Sequence, residues 1–171
     1  MPLNRILFIL AIAFLSCSSN NDPQPEENPP VQTVIYLIRH AEKADNSANP
    51  NLSEAGLQRA QAWAAMLQDV PFEAVYSTNF NRTMQTAEPI ANAIGKSITI
   101  YNHAGFSLQS LVAKYPGKNI FVMGHNNTVP ALVNAIVGSA VYPNMAENEF
   151  GNLYKVTVVD GVVWHEMTVH N

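Results

Sequence analysis

Three polar segments of the sequence contain residue types that bind and attack a phosphoryl group. They are Arg39-His40, the stretch from Ser77 to Arg82, and His125, and each follows a short apolar run. Arginine presents a planar fork of N–H donors that fits phosphate oxygens, and a neutral imidazole nitrogen can attack phosphorus. A second histidine can donate a hydrogen bond to the oxygens of the transferring group. These side chains would form an anion site with a nucleophile if the fold brings them together.

The apolar runs before the three segments have the composition of buried strands. Residues 33–38 are β-branched and apolar, and the same pattern predicts strands at 72–76, 97–101 and 119–123. Helical spacing and end signals predict the intervening helices over residues 53–67, 107–114 and 129–137. A further helix contains Arg82 and Thr86 and ends near Gly95, and Pro89 inside it predicts a kink or a late start.

The order of these elements predicts an α/β fold. Residues 153–159 and 162–169 flank Asp160-Gly161, which is the signal of a β-hairpin. Strands that alternate with helices indicate a three-layer α/β/α sandwich with a mostly parallel sheet and this hairpin as a C-terminal antiparallel addition. In such sheets ligands bind beyond the C-terminal ends of the strands, where all three polar segments are expected.

Composition excludes several classes of function. Of the 171 residues, 47% are hydrophobic and 13% charged, so the chain can bury a core. The net charge of −4 and the absence of a Lys/Arg run argue against nucleic acid as a partner. A single cysteine, Cys17, excludes an internal disulfide framework and a cysteine-rich zinc site. No ligand spacing suggests a metal, so no metal or other cofactor is expected. A zinc site on His40 and His125 is a weaker alternative.

The N-terminal segment has the pattern of an export signal. Arg5 precedes ten consecutive apolar residues, 6–15, which are too few to span a bilayer as a helix. The run ends in Ser16-Cys17, which resembles a bacterial lipoprotein processing site with Cys17 as the lipidated residue. We therefore predict a lipoprotein signal peptide at 1–16 and a protein that is exported, periplasmic or at the cell surface, and anchored to the membrane only through Cys17. An ordinary cleaved signal with a leftover thiol is the alternative.

Residues 17–30 follow as a predicted disordered tether. They contain four prolines, three acidic residues and no large apolar side chain, so they cannot form a core. The folded domain is predicted to cover residues 31–171.

Four segments in order resemble the sequence blocks of the histidine phosphatase superfamily, also called the phosphoglycerate-mutase-like family. Residues 37–43 contain Arg-His-Ala and resemble its Arg-His-Gly/Ala signature. Residues 51–60 resemble the Leu-Thr/Ser-x-x-Gly segment, residues 76–87 the block that carries the second arginine, and residues 122–128 the second-histidine motif. Any one block is weak evidence, but all four at compatible spacing are specific. The similarity is to the branch 1 proteins, in particular the short phosphohistidine-phosphatase-like members.

The resemblance implies roles for the matching residues. His40 would be the nucleophile that accepts the phosphoryl group, and Arg39, Arg82 and His125 would complete the phosphate pocket. The activity implied is a metal-independent phosphatase that hydrolyses phosphomonoesters or phosphohistidine through a covalent phosphohistidine. Its partner would be a small phosphorylated substrate, and no obligate protein partner is implied.

The departures from the family leave the leaving-group acid open. The region from Thr99 to Phe106 lacks the glutamate of the mutase branch, and Asn126 replaces the aspartate that follows the second histidine in acid phosphatases. Glu42 and His103 are the candidate proton donors. Ser77 and Asn126 are candidate substrate-binding residues. Two alternative functions stay open: a phosphoglycerate-mutase-type phosphoryl transferase, and a module that binds a phosphorylated ligand without turnover.

Overall fold

The protein alternates strands and helices in a computed structural model that describes residues 29–170. The strands are β1 (Gln32–Arg39), β2 (Phe72–Ser77), β3 (Ile98–Ile100), β4 (Asn119–Gly124), β5 (Asn152–Val159) and β6 (Val162–Val169). The helices are α1 (Glu54–Met66), α2 (Asn81–Ala93), α3 (Leu108–Lys114) and α4 (Thr128–Val137). All of these elements match the predicted ones, with small differences at their ends.

The six strands form one sheet in the order β3-β2-β4-β1-β5-β6. β1, β2, β3 and β4 are mutually parallel, while β5 runs antiparallel to β1 and β6 antiparallel to β5. The turn between β5 and β6 places Asp160 and Gly161 at φ values of 49° and 81°. A tight hairpin turn with two positive φ values suits this Asp-Gly pair. The predicted mixed sheet with its C-terminal hairpin is confirmed.

Helices cover both faces of the sheet, so the predicted three layers are also confirmed. On one face, Trp63 of α1 and Ile90 of α2 pack with Phe121 of β4. On the other face, Leu108 of α3 and Leu132 of α4 belong to a second buried cluster. Alternate residues of β1 and β4 enter these two clusters, which is why residues 34–38 and 120–123 are apolar on both faces of the sheet.

The sequence predicts either a kink at Pro89 or a late start of this helix; α2 begins at Asn81 and continues through Pro89, so the late start is wrong. The helix begins at Asn81, whose backbone N–H donates to the Asn49 side-chain oxygen at 2.8 Å. Proline has no N–H to donate to the carbonyl four residues earlier, which costs the helix one hydrogen bond. Burial of Ile90 and Ala91 directly after the proline offsets that loss.

The predicted signal peptide (1–16), Cys17 and most of the predicted tether (17–30) lie outside the described residues. Within residues 29–170, no helix is both long and apolar enough to cross a membrane.

Candidate active site

Register between two central strands brings the two predicted histidines together. Arg39 at the end of β1 pairs with Gly124 at the end of β4, so His40 and His125 leave the sheet side by side. The backbone N–H of His40 donates to the Gly124 carbonyl at 3.0 Å, which extends the ladder by one bond. As a result the two imidazole ring centroids lie 5.5 Å apart.

His40 is held as a neutral imidazole with one defined tautomer. Its Nδ1 lies 2.8 Å from the Ala41 carbonyl, and only a protonated Nδ1 can bond to a carbonyl oxygen. The lone pair is therefore on Nε2. Burial lowers the pKa of His40 to about 3; the bond to Ala41 opposes this, and the charge of Arg39 adds to it. His40 is thus uncharged at neutral pH, as a nucleophile must be.

Arg39 is buried and joins the pocket to the loop before β5. Its Nη1 donates to the carbonyls of Ala146 and Glu149 at 2.7 and 3.0 Å. Its Nη2 lies 3.3 Å from a Glu147 carboxylate oxygen, and the guanidinium stacks 4.3 Å from the Phe150 ring centroid. The resemblance assigned Arg39 to phosphate alone, whereas the structure also makes it the anchor of this loop.

Two guanidinium nitrogens of the site are buried without a partner. Across residues 29–170, this holds for Nε of Arg39 and Nε of Arg82. The guanidinium of Arg82 lies over the Phe80 ring at 4.5 Å. Leaving a buried charged donor unpaired is costly, so two such donors beside His40 indicate an anion-binding site.

His125 is oriented by a threonine pair. Its Nε2 lies 3.0 Å from Thr78 Oγ1, which donates to Thr83 Oγ1 at 3.1 Å. Thr83 in turn donates to the Thr78 carbonyl, so Thr78 Oγ1 accepts from a protonated Nε2 of His125. Burial lowers the pKa of His125 to about 4, and the charge of Arg82 contributes. The second histidine is therefore also neutral near pH 7.

A cavity of about 880 Å³ opens over these side chains. It has polar loop residues around its rim and the two histidines and two arginines inside it. Its lining residues are Arg39, His40, Lys43, Ser47, Ala48, Pro50, Thr78, Asn79, Phe80, Arg82, Ile100, Tyr101, Asn102, His103, His125, Asn126, Asn127, Thr128 and Glu147. Arg39, His40, Arg82 and His125 are thus brought together as the sequence predicted.

Of the other predicted site residues, two line the cavity and Ser77 does not. Asn126 and His103 line the cavity. Ser77 does not: it is fully buried at the end of β2, and its hydroxyl donates to the Thr78 carbonyl at 3.0 Å. The next residue, Thr78, takes the position at the cavity instead, because alternate strand residues point to opposite faces.

Glu42 is not available as a proton donor, which corrects that expectation. Both of its carboxylate oxygens accept from Arg59 Nε, at 2.9 and 3.0 Å, and it lines a separate groove rather than the cavity over His40. Burial raises the pKa of Glu42, but the hydrogen bonds to the carboxylate and the charges of Arg59 and Arg39 together outweigh it and leave the pKa below its usual value. Glu42 is therefore bound to Arg59 and lies outside the cavity in which a leaving group would need its proton.

Glu147 is the site residue that sequence reasoning missed. It lies in the loop between α4 and β5, lines the cavity and accepts from Asn126 Nδ2 at 2.9 Å. No periodicity or family block covers this loop, so the sequence held no signal for it.

Among residues 29–170 no cluster of three or more His, Cys, Asp or Glu side chains could hold a metal ion.

Comparisons with known proteins agree with this geometry. The sequence profile of the histidine phosphatase superfamily (branch 1) matches residues 35–107. The lipopolysaccharide core heptose(II)-phosphate phosphatases of Shigella flexneri serotype 5b and Escherichia coli strain SE11 are each 30% identical to this chain over 146 residues. The match covers 77% of this chain, which spans 66% of the length of these curated relatives.

Solved structures share the fold at low sequence identity. A mycobacterial glucosyl-3-phosphoglycerate phosphatase has a TM-score of 0.67 at 14% identity, with 81% of this chain and 98% of that chain covered. A phosphoglycerate mutase from Bacillus anthracis strain Sterne has a TM-score of 0.64 at 16% identity, with 81% and 93% covered. The matching family profile and the relatives at 30% identity agree with the ordered sequence blocks and the paired histidines. The chain belongs to branch 1 of the histidine phosphatase superfamily.

Proposed function

We propose that this protein is a phosphatase that hydrolyses small phosphomonoesters through a covalent phosphohistidine on His40. The observation that carries the proposal is a buried, neutral His40 beside two guanidinium groups whose Nε donors are unpaired among the described residues. The nucleophile is in its reactive protonation state, and fixed positive donors surround the place where the phosphoryl oxygens must sit. Such preorganised charge is the main requirement of phosphoryl transfer.

The reaction has two steps at one phosphorus atom. The Nε2 lone pair of His40 attacks phosphorus while the bond to the leaving oxygen breaks. The proton stays on Nδ1 of His40, which donates it to the Ala41 carbonyl, and this hydrogen bond stabilises the positive charge that the ring acquires. Arg39 and Arg82 face the equatorial oxygens, and His125, whose Nε2–H donates to Thr78 Oγ1, lies beside them in the cavity. Water then attacks phosphorus, the P–N bond breaks, and His40 returns to its neutral form.

A phosphorylated sugar is the substrate class that fits the cavity best. Four asparagines line it, Asn79, Asn102, Asn126 and Asn127, and an amide offers both donors and acceptors to hydroxyl groups. The volume of about 880 Å³ exceeds what a phosphate group alone would need. The relatives named for heptose phosphate hydrolysis, at 30% identity, support the same class.

Replacement of the nucleophile tests this function. His40→Ala should abolish turnover of both an aryl phosphate and a hexose phosphate, and orthovanadate should inhibit the wild type whereas a chelator should not. His165→Ala is the matched control, because His165 is an exposed residue of β6 outside the cavity. Full activity of His40→Ala would refute the assignment.

Trapping separates the phosphatase from its two rivals. Brief incubation with ³²P-labelled substrate followed by denaturation should give an acid-labile label that is lost in His40→Ala. Binding without label would favour a binding module. Faster interconversion of phosphoglycerates than their hydrolysis would favour a mutase, whose fold this chain shares.

We also propose that the protein is exported and held at the membrane by lipid on Cys17. The support is the sequence pattern of residues 1–17 and the direction of β1, which starts at Gln32 and ends at the active site. Eight strand residues span about 25 Å, so the tether would join the domain at the end away from His40. Labelled palmitate should enter the wild type and not Cys17→Ser; equal labelling would refute the anchor.

A further inference from the structure

Hydrolysis of a sugar phosphate requires a proton donor that the family blocks of this chain do not supply. A sugar alkoxide is a poor leaving group, and positioned acid catalysis accelerates its departure by about 10²–10⁴-fold. The donor must reach the leaving oxygen on the side of phosphorus opposite His40 Nε2. It must therefore come from the walls of the cavity over His40.

Few cavity residues could give a proton. The Tyr101 hydroxyl is committed to the Met123 carbonyl at 3.1 Å, and burial raises its pKa above the usual range. Glu42 lies outside the cavity and is held by Arg59. Three lining residues with an ionisable proton are left: Lys43, whose Nζ donates to Asn46 Oδ1 at 3.3 Å, His103, and Glu147, which is the single carboxyl group among the described lining residues.

The loop around Glu147 is clamped to the nucleophile strand. Arg39 Nη1 bonds to the carbonyls of Ala146 and Glu149, one on each side of Glu147 in sequence. Backbone bonding between Met145 N–H and the Asn126 carbonyl at 3.0 Å fixes the same loop to the His125 side of the site. Glu147 is therefore carried on a backbone that both halves of the pocket hold in place.

The carboxyl group itself lies between phosphate ligands and solvent. One oxygen is 3.3 Å from Arg39 Nη2 and the other is 2.9 Å from Asn126 Nδ2, while 79% of the side chain is exposed. A phosphoryl group that takes up the Arg39 donors would release one carboxyl oxygen next to it. Glu147 is thus both a lining residue of the cavity and open to solvent. His103, in contrast, makes no side-chain hydrogen bond to the residues that the structure describes.

We propose that Glu147 is the acid that protonates the leaving alcohol and then the base that activates water, an inference that rests on the proposed phosphatase function. As the P–O bond breaks and the His40 Nε2–P bond forms, the Glu147 proton passes to the leaving oxygen, which departs as the alcohol. The ionised carboxylate then takes a proton from the attacking water as the P–N bond breaks. Inorganic phosphate, neutral His40 and protonated Glu147 result, so the cycle closes.

Leaving-group dependence tests this role with the full-length protein. kcat/KM covers steps only through phosphoryl transfer to His40, and it is measured for p-nitrophenyl phosphate and for a hexose phosphate. Nitrophenolate leaves without a proton, so Glu147→Gln should lower kcat/KM about 10²-fold or more for the sugar phosphate and little for the aryl ester. Glu147→Asp should recover part of the loss. Glu166→Gln, which changes an exposed carboxylate of β6 outside the cavity, is the matched control and should leave the ratio of the two substrates unchanged.

Several results would overturn the inference. An equal loss of kcat/KM on both substrates would show that the role of Glu147 is structural. Faster turnover of both would show that its side chain blocks the cavity until substrate displaces it. A selective loss in His103→Gln but not in Glu147→Gln would transfer the role to His103. The proposed phosphatase function is judged separately, because it fails only if wild type turns over neither ester or if His40→Ala retains activity.

Discussion

Acidification should destabilise this protein through the two neutral histidines of the site. In the folded state burial lowers the pKa of His40 to about 3 and that of His125 to about 4, whereas an unfolded chain titrates near the ordinary value of 6.5. Below pH 6.5 the two histidines bind protons in the unfolded chain but stay unprotonated in the folded chain. Stability from these residues is therefore complete above pH 6.5 and is lost progressively as the pH falls towards the folded pKa values.

The expected loss is large relative to the stability of a single domain. Each pH unit between the two pKa values is worth about 1.4 kcal/mol per group, so His40 should contribute a loss of about 2 kcal/mol between pH 7 and pH 5. His125, which is less buried, should contribute at most a similar loss. Together these losses approach about 4 kcal/mol, out of the roughly 5–15 kcal/mol that a domain usually has.

Urea unfolding at pH 7 and pH 5 measures this loss. His40→Gln should remove about half of the difference in unfolding free energy between the two pH values, because glutamine does not titrate. His125 should keep its share in that variant, since burial is the main cause that lowers its pKa and the charges that add to it are those of Arg82, Arg39 and His103. His165→Gln controls for loss of an exposed histidine. If wild type and His40→Gln lose equal stability, then burial does not hold His40 neutral, and the mechanism loses its nucleophile.

Two further substitutions test how the backbone around the nucleophile is supported. Gly56→Ala should lower the free energy of unfolding by about 1–3 kcal/mol and reduce turnover, because its Cβ would collide with the Glu42 carbonyl two residues after His40; unchanged urea midpoint and kcat would contradict this. Thr86→Val should cost about 1–3 kcal/mol, because Thr86 Oγ1 accepts from the Ala41 N–H at 3.0 Å and valine leaves that donor unpaired. Thr86→Ser keeps the acceptor and should unfold close to wild type, so equal losses in the two variants would reject the hydrogen-bond explanation.

Most of the fold was predictable because its signals are local. The strand at 33–38 and that at 119–123 are apolar on both faces, as parallel strands between two helical layers must be. The Asp160-Gly161 pair fixed the hairpin through its positive φ values. Sequence could not decide the effect of Pro89, because the cost of its missing hydrogen bond competes with burial of Ile90, a tertiary quantity.

The candidate site was predictable where motifs exist and not elsewhere. His40 and His125 follow strands that pair in register, so their proximity follows from the parallel sheet. The choice between Ser77 and Thr78 depends on which way a strand's last side chains point, and a shift of one residue reverses it. Glu42 was a reasonable acid in sequence, since nothing there shows that Arg59, seventeen positions later, binds it.

Arg39 shows why the site cannot be divided into independent residues. Its Nη1 group supports the backbone on either side of Glu147, its Nη2 group contacts the Glu147 carboxylate, and its Nε is buried without a partner among the described residues. Removing Arg39 would therefore take away a phosphate ligand and, at the same time, release the loop that places the proposed acid. The losses of Arg39→Ala and Glu147→Gln should then be strongly non-additive, because the first already includes much of the second. A family motif identifies Arg39 only as a phosphate ligand, whereas its contacts make binding of the phosphoryl group and delivery of the proton parts of one arrangement.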